Sequence, residues 1–246
     1  MSPYENRVRS DKVFRFGLIS FLRKPDDKDS CAPLESPDSK TVEQWAGQGL
    51  QNVCLFHDAD QANGPVFLYV EYVRHDVDAV MQLLQCDDWF KALSPRLSPH
   101  PRAAEGSDWL PMELINLIGP TLPVPNRADP LRREGLTVRL NPASELTYRT
   151  LHQTNWPGVV DQMRRSNRRY WVTFLIELGE DLHLFTYSEY VGNDVAADDA
   201  LMAADPVTQR WWKHTEPCLK PIHSGYSTWS PMSALGVAPP ANAPSP

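Results

Sequence analysis

The second half of the chain alternates most clearly between hydrophobic and polar positions, and it predicts elements in the order β-α-β-β-α-β. Apolar side chains at every second position indicate strands, whereas intervals of three and four indicate helices. Pro157 fits the first turn of a helix, where its missing amide hydrogen is not needed. In order, the pattern predicts a strand at 136–140, a helix from Ser144, a continuation of that helix or a second helix from Pro157, a hairpin of strands at 170–178 and 182–191, helices at 198–204 and 206–214, and a strand near 231–236.

The first half repeats this order with a weaker first helix. Its pattern predicts strands near 13–20, 51–57, 66–73 and 111–118, a short helix near 40–49 and a longer helix near 76–93. The β-α-β-β-α-β order is the ferredoxin-like arrangement, so an α+β fold of this kind is predicted for both halves.

Three repeated motifs indicate that the two halves are copies of one domain. Trp89-Phe90-Lys91 recurs as Trp211-Trp212-Lys213, 122 positions later (211 − 89). In the same order, VEYV at 70–73 is echoed by SEYV at 188–191, and WLPM at 109–112 is echoed by WSPM at 229–232. Because this period is too long for a solenoid, each copy should be a domain. The predicted domains are 1–120 and 135–236, with a proline-rich linker at 121–134 and a disordered tail at 237–246.

Composition narrows the classes of partner and compartment. The net charge of −7 argues against general binding of nucleic-acid phosphates. No run of about 18 apolar residues occurs, so no membrane-spanning segment is expected. Arg15 and Gly17 interrupt the first apolar stretch, which therefore lacks the core of a signal peptide. The four cysteines form no C-x-x-C pair, and free thiols in a cytoplasmic protein are the expectation.

Three side chains that could carry chemistry share one face of the first predicted helix in the second half. Tyr148, His152 and Trp156 are four residues apart, and four residues turn a helix by about 400°. A phenol and an imidazole side by side can pass a proton between two substrate oxygens, and an indole can pack against the C–H face of a sugar. The alternative is an amphipathic face on which His152 only satisfies a hydrogen bond.

A second aromatic cluster follows on the last predicted helix. Trp211 and Trp212 are flanked by Arg210 and Lys213, whose side chains could donate hydrogen bonds to hydroxyl groups. Adjacent residues on a helix point about 100° apart, so at most one of the two tryptophans is expected to face a pocket.

Motifs for other chemistries are missing from the sequence. It contains no H-x-x-x-H, no H-E-x-x-H and no Cys/His cluster with ligand spacing, so no metal is expected. It also contains no P-loop, no G-x-G-x-x-G and no G-x-S-x-G elbow. The sequence therefore predicts no cofactor.

Residues 135–236 resemble L-rhamnose mutarotase and its relatives. The matching motifs are Asn141-Pro142, the Y-x-x-x-H-x-x-x-W-P series from Tyr148 to Pro157, an aromatic-rich strand from Tyr170, and QRWWK at 209–213. The resemblance implies that ferredoxin-like domains pair into a dimeric α/β barrel. It also implies that His152 is the acid/base catalyst, with Tyr148 beside it, and that Tyr170, Trp156 and one of the two adjacent tryptophans line a sugar site.

The resemblance implies an isomerase that interconverts the α and β anomers of a free hexose, such as L-rhamnose or L-fucose, without a cofactor. The first half lacks the Tyr/His/Trp series, so it is expected to be a degenerate copy that pairs with the second inside one chain, which makes the protein a monomer. One alternative is a non-catalytic sugar-binding or regulatory protein. Another is an unrelated chemistry on the same barrel, since a fold does not fix a function.

Overall fold

Both halves of the chain form the elements that the hydrophobic pattern predicts. The computed structural model describes residues 13–23, 36–61, 63–119, 132–226 and 228–237. The chain divides into two units, here called the N unit (1–112, 120–127 and 233–246) and the C unit (113–119 and 128–232). Most of the predicted linker, at 121–131, and the predicted tail after residue 237 lie outside the described residues.

The N unit contains the predicted strands near 13–20, 51–57 and 66–73 and the short first helix, whereas most of the strand predicted near 111–118 lies in the C unit. Its elements are β1 (Phe14–Leu22), α1 (Ser39–Gly47), β2 (Leu50–His57), β3 (Pro65–Tyr72), α2 (Val77–Cys86), α3 (Asp88–Leu93), β4 (Leu97–Ser98) and β5 (Leu110–Pro111). The single helix predicted at 76–93 is two helices, because the backbone of Asp87 is extended between them. The Asp87 carboxylate accepts hydrogen bonds from the amides of Trp89 and Phe90 and so starts the second helix.

The C unit contains the predicted elements in the predicted order. They are β6 (Glu113–Ile118), β7 (Arg132–Leu140), α4 (Glu145–Gln153), α5 (Pro157–Arg165), β8 (Arg168–Leu178), β9 (Asp181–Tyr190), α6 (Val195–Ala204), α7 (Pro206–Thr215), β10 (Leu219–Lys220) and the beginning of β11 (Ser230–Val237). Pro157 occupies the first turn of α5, as expected. Ser144 stands at the N-cap of α4, but its side chain makes no capping hydrogen bond.

Each unit contains an antiparallel sheet built around one hairpin. In the N unit the strand order is β1-β3-β2, and both β4 and β5 pair with β1. In the C unit the order is β7-β9-β8, and both β10 and the first residues of β11 pair with β7. Within the described residues, none of the helices combines the length and the hydrophobicity that crossing a bilayer requires.

The last strand of each sheet comes from the other half of the sequence. In the C unit, β6 pairs with β8, although β6 precedes the linker. In the N unit, residues 233–237 of β11 pair with β2, although they follow all elements of the C unit. The domain limits predicted from the sequence follow the chain and contain no such exchange.

The strand motif that echoes between the halves has a structural explanation in each unit. Tyr69 donates a hydrogen bond of 2.9 Å to the buried carboxylate of Glu71, and Tyr187 donates one of 2.5 Å to the buried carboxylate of Glu189. Residues two apart on a strand lie on the same face, so the phenol is placed to satisfy the carboxylate. A buried carboxylate without such a partner would be costly, which favours keeping both residues together.

A buried carboxylate also anchors α6 to the end of the hairpin. Asp198 accepts hydrogen bonds from the Asn167 amide at 2.9 Å and from the Tyr190 hydroxyl at 2.5 Å. These two bonds, in that order, lower the pKa of Asp198 below its usual 3.8. Gly192 leaves the space for this contact, because a Cβ there would lie 2.3 Å from the Tyr190 hydroxyl oxygen.

We expect Asp198→Asn to lower the midpoint temperature of unfolding by several degrees near pH 7, because the hydrogen-bonded anion is lost. A carboxyl group whose pKa is lower in the folded state stabilises the fold above its unfolded pKa, and this contribution disappears as pH falls through the folded pKa. The difference between wild type and variant should therefore shrink as the pH is lowered from 5 towards 3. Thermal melts followed by circular dichroism measure it, and a constant difference down to pH 3 would contradict the assignment.

Candidate functional site

The C unit contains a cavity of about 760 Å³. Strands β6, β7 and β8 line it on one side, and helices α4 to α7 line it on the other. Ligand sites of small molecules fall in the range of about 300–1,000 Å³ and combine aromatic walls with a few polar groups. The cavity has this character, and it contains most of the residues that the sequence singled out.

His152 is positioned as a base by the helix that carries it. Its Nδ1–H donates a 2.8 Å hydrogen bond to the backbone carbonyl of Tyr148, one turn earlier on α4. A carbonyl oxygen only accepts, so the proton lies on Nδ1 and the lone pair of the neutral ring lies on Nε2. Burial lowers the pKa of His152 from its usual 6.5, and the hydrogen bond to the carbonyl offsets part of this effect. The imidazole is therefore neutral at physiological pH.

Tyr148 lies directly beside the imidazole. The two ring centroids are 4.1 Å apart, and both residues line the cavity. Burial raises the pKa of the Tyr148 hydroxyl well above its usual value. The phenol therefore stays protonated and can act as a hydrogen-bond donor, whereas losing its proton would be difficult.

Two tryptophans extend this aromatic wall from His152. The Trp211 ring meets the imidazole edge-on at 5.2 Å, and the Trp156 ring meets Trp211 at 5.2 Å. Trp211 is buried, whereas Trp156 and Trp212 are half-buried. Both Trp211 and Trp212 line the cavity, contrary to the expectation that at most one would. The cavity is wide enough to contact two faces of α7, since Thr215 and Glu216 line it as well.

The two cations expected beside these tryptophans do not line the cavity. The guanidinium of Arg210 lies over the Trp156 ring, 4.8 Å from its centroid, and is exposed. Lys213 is also exposed. Neither residue belongs to the cavity lining.

Tyr170 does not line the cavity either, and a β-bulge explains why. On β8, Arg168 pairs with Tyr190 but Tyr170 pairs with Glu189, so Arg169 is an extra residue in the strand. A shift of one residue moves the following side chains to the opposite face of the sheet. Arg168 and Trp171 consequently face the cavity, and Tyr170 lies on the other face.

Four charged residues lie at one end of the cavity, and none of them was among the predicted site residues. The Arg168 guanidinium donates to the Glu134 carboxylate at 2.9 Å and to the Asp199 carboxylate at 2.8 Å, which joins β8, β7 and α6. Arg132 lies 3.4 Å from Glu134.

Further lining residues that were not predicted come from four separate segments. Trp171 and Trp229 form an edge-to-face pair with 5.8 Å between centroids. Asn155 follows α4 and donates a 3.0 Å hydrogen bond from Nδ2 to Oδ1 of Asn116 on β6. The second repeated Trp-x-Pro-Met motif contained Trp229, but nothing in the sequence set the two asparagines apart from surface residues.

The aromatic residues of the N unit that echo the site are part of its core. Trp89 and Phe90 correspond to Trp211 and Trp212, and both pack with the buried Trp45. The Trp45 indole donates a 2.8 Å hydrogen bond to Asp87, which fixes the ring in place. These aromatic residues therefore stabilise the core of the N unit.

Comparisons with known proteins separate the two halves of the chain. A family model described as L-rhamnose mutarotase matches residues 133–235. The C-terminal half is therefore similar to the L-rhamnose mutarotases, which are sugar isomerases. No curated protein matches the chain at a significant level.

Solved structures with the same fold cover both halves. One is a provisionally assigned monooxygenase of Fusobacterium nucleatum subsp. nucleatum, with a TM-score of 0.53 and 10% identity over 91% of this chain and 93% of that chain. Another is a provisionally assigned monooxygenase of Lactobacillus acidophilus, with a TM-score of 0.52 and 10% identity over 91% of this chain and 95% of that chain. At this identity the likeness concerns the fold alone, and the antiparallel α+β sheet is confirmed by it.

Proposed function

We propose that the C unit is a sugar mutarotase that interconverts the α and β anomers of a free hexose. The observation that carries the proposal is the neutral, buried His152, whose Nδ1–H is held by a carbonyl and whose Nε2 is left as a base in an aromatic cavity. The match of residues 133–235 to the L-rhamnose mutarotase family supports it. A neutral imidazole, whose pKa burial lowers from its usual 6.5, can take a proton from a hydroxyl group and return it at physiological pH.

The reaction needs one proton to be moved between two oxygens of the sugar. Nε2 of His152 removes the proton of the anomeric hydroxyl, and the C1–O5 bond breaks as the aldehyde forms. The imidazolium returns the proton to the ring oxygen. After rotation about the C1–C2 bond, the same steps run in reverse and close the ring on the other face. Tyr148 keeps its proton and orients the substrate oxygens as a hydrogen-bond donor.

The lining of the cavity favours a deoxy sugar as substrate, with L-rhamnose or L-fucose as examples. Trp156, Trp211 and Trp212 offer apolar faces to which the C–H groups and the methyl group of such a sugar can pack. At about 30 Å³ for each water-sized group, the cavity holds roughly 25 such groups, whereas a hexose is equivalent to about six. A bound hexose therefore leaves room for ordered water beside the charged end of the cavity.

Polarimetry tests this proposal and its dependence on pH. A freshly dissolved pure anomer of L-rhamnose should reach equilibrium rotation roughly 10²–10⁴ times faster with catalytic protein than without it. Because the pKa of His152 is lowered, the catalysed rate should stay constant from pH 8 to below pH 6.5 and fall only at lower pH. Binding without faster relaxation would favour the non-catalytic sugar-binding function. Neither binding nor faster relaxation with any of L-rhamnose, L-fucose or D-glucose would exclude both.

We also propose that the two copies pair within one chain, which is then a monomer located in the cytoplasm. The exchange of β6 and of residues 233–237 of β11 between the units supports pairing, because each unit needs a strand from the other half of the sequence. A covalent link of this kind replaces the association of two chains by an intramolecular one.

A further inference from the structure

We propose that Asn116 and Asn155 form the pair that recognises substrate hydroxyls, and that the N-terminal half is retained because its strand β6 brings Asn116 into the site. The proposal rests on the sugar function proposed above and names which residues of this chain would read the sugar. Both asparagines line the cavity, and they are joined by the 3.0 Å hydrogen bond from Asn155 to Asn116.

A β-bulge turns Asn116 towards the cavity. On β6, Leu114 pairs with Phe174 but Asn116 pairs with Thr173, so Ile115 is an extra residue in the strand. Regular alternation would place Asn116 on the same face as Leu114, which does not line the cavity, whereas the bulge places it on the opposite face. Ile118, two residues further along, shares the face of Asn116, and both line the cavity. Bulges re-aim side chains in this way next to functional sites.

A salt bridge fixes β6 against the helix that carries His152. Both oxygens of the Glu113 carboxylate accept hydrogen bonds from Arg149 on α4, at 2.6 and 2.7 Å. Arg149 also donates to Glu145 at 2.8 Å, on the same helix. The bidentate contact lowers the pKa of Glu113. Arg149 follows Tyr148 directly, so this bridge joins the strand of Asn116 to the helix of Tyr148 and His152.

The amide pair matches the chemistry of neighbouring hydroxyl groups. One hydrogen bond between two amides uses one amino group and one carbonyl, so one carbonyl and one amino group are left for a ligand. This holds whichever way the two amides are oriented. A sugar hydroxyl both donates and accepts, so two adjacent hydroxyls can bind the free carbonyl and the free amino group. Asn116 is only 4% exposed, and a polar group placed this deep in an aromatic cavity discriminates strongly between ligands that can and cannot pair with it.

The pair also gives the degenerate copy a function at the site. The N-terminal half has no Tyr/His/Trp series, and its corresponding aromatic residues pack as core. Its strand β6 nevertheless contributes Asn116 and Ile118 to the cavity and Glu113 to the bridge with α4. Selection on these three residues explains why the strand persists after the catalytic residues have been lost from that copy.

Substitution of Asn116 by leucine, which has similar size and no polar atoms, tests the proposal. We expect the KM for L-rhamnose to rise about 10–100-fold, since the hydrogen bond from Asn116 to the sugar is lost and Asn155 loses the partner that orients it. The kcat should change by less than about threefold, because His152 is untouched. Wild type should prefer L-rhamnose to at least one of its single-deoxy analogues, and Asn116→Leu should lose that preference. A residue with a purely structural role would not change the ranking of analogues.

Two further variants make the result interpretable. Leu114 lies on the same strand but faces away from the cavity and is 41% exposed. The Leu114→Ala variant should therefore bind L-rhamnose like wild type. Asn155→Leu should reproduce the loss seen for Asn116→Leu, and the double variant should lose little more than either single one. Asn155 is half-buried outside the sheet, so this variant serves as the test if Asn116→Leu does not fold.

The outcomes separate this inference from the function on which it rests. If wild type accelerates exchange and both asparagine variants keep its KM and its ranking of analogues, the recognition pair is refuted and the mutarotase function stands. If wild type neither binds L-rhamnose, L-fucose or D-glucose nor accelerates the exchange of any of them, both are refuted. A raised KM and a lost preference among the sugar analogues in both variants, with a near-normal kcat, support the recognition pair.

Discussion

His152→Ala is expected to reduce the rate of anomer exchange to that of the uncatalysed sugar, a loss of roughly 10²–10⁴-fold. The imidazole is the group in the cavity whose protonation can change near pH 7, because the neighbouring Tyr148 hydroxyl has a strongly raised pKa. The fold should survive, since the ring lines a cavity and its loss removes mainly the contacts with Tyr148 and Trp211. The free energy of unfolding should fall by about 1–3 kcal/mol.

Lys213→Ala provides the matched control for this variant. Lys213 is exposed and does not belong to the cavity lining, so exchange should be unchanged. Added imidazole should restore part of the activity of His152→Ala, because the space left by the ring can hold a free base. Wild-type exchange in a folded His152→Ala protein would show that another group moves the proton.

Residues 132–246 alone are expected to fail as a stable monomer with exchange activity. The C unit would lose β6, which leaves the edge of β8 unpaired, and unpaired edges pair with other chains. The cavity would lose Asn116 and Ile118, and Arg149 would lose the Glu113 carboxylate. Light scattering should report self-association or aggregation, whereas the full chain should be monomeric.

Restoring β6 tests whether the absence of this strand causes the loss of activity. A chain that carries residues 110–119 joined by a flexible linker to 132–246 should recover part of the exchange rate, because β6 can again pair with β8. If residues 132–246 alone proved to be a monomer with the full rate and KM of the intact protein, the site would not need β6, and this prediction would be wrong.

The sequence predicts secondary-structure elements well, and it also predicts which side chains on one helix lie side by side. Both properties depend on local spacing. The hairpin of β8 and β9 follows from alternation around Gly179, and the pairing of Tyr148 with His152 follows from the four-residue turn of α4. Trp211 reaches His152 because two helices that were predicted separately pack on the same side of the sheet.

The two β-bulges mark the limit of prediction from spacing. Alternation along β8 cannot show that Arg169 is an extra residue, so it cannot tell that Tyr170 leaves the cavity and that Trp171 enters it. The same applies to Ile115 on β6 and the position of Asn116. A bulge depends on how two strands are paired, and pairing involves residues far apart in the sequence.

Contacts between segments that are distant in the sequence were also not predictable. Glu134, Arg168 and Asp199 come from three elements, and each on its own has the composition of an ordinary surface position. The exchange of β6 and residues 233–237 of β11 between the units is also a property of pairing, whereas the repeats record only the order of elements.

Saturation-transfer NMR on equilibrated L-rhamnose tests the central claim most directly, because it observes the exchange of the two anomers itself. Saturating the anomeric proton of one anomer should diminish the signal of the other when wild-type protein is present. The exchange rate should rise in proportion to protein concentration, and His152→Ala should show only the uncatalysed rate. Saturation transfer equal to that of the sugar alone, at protein concentrations that bind the sugar, would contradict the account.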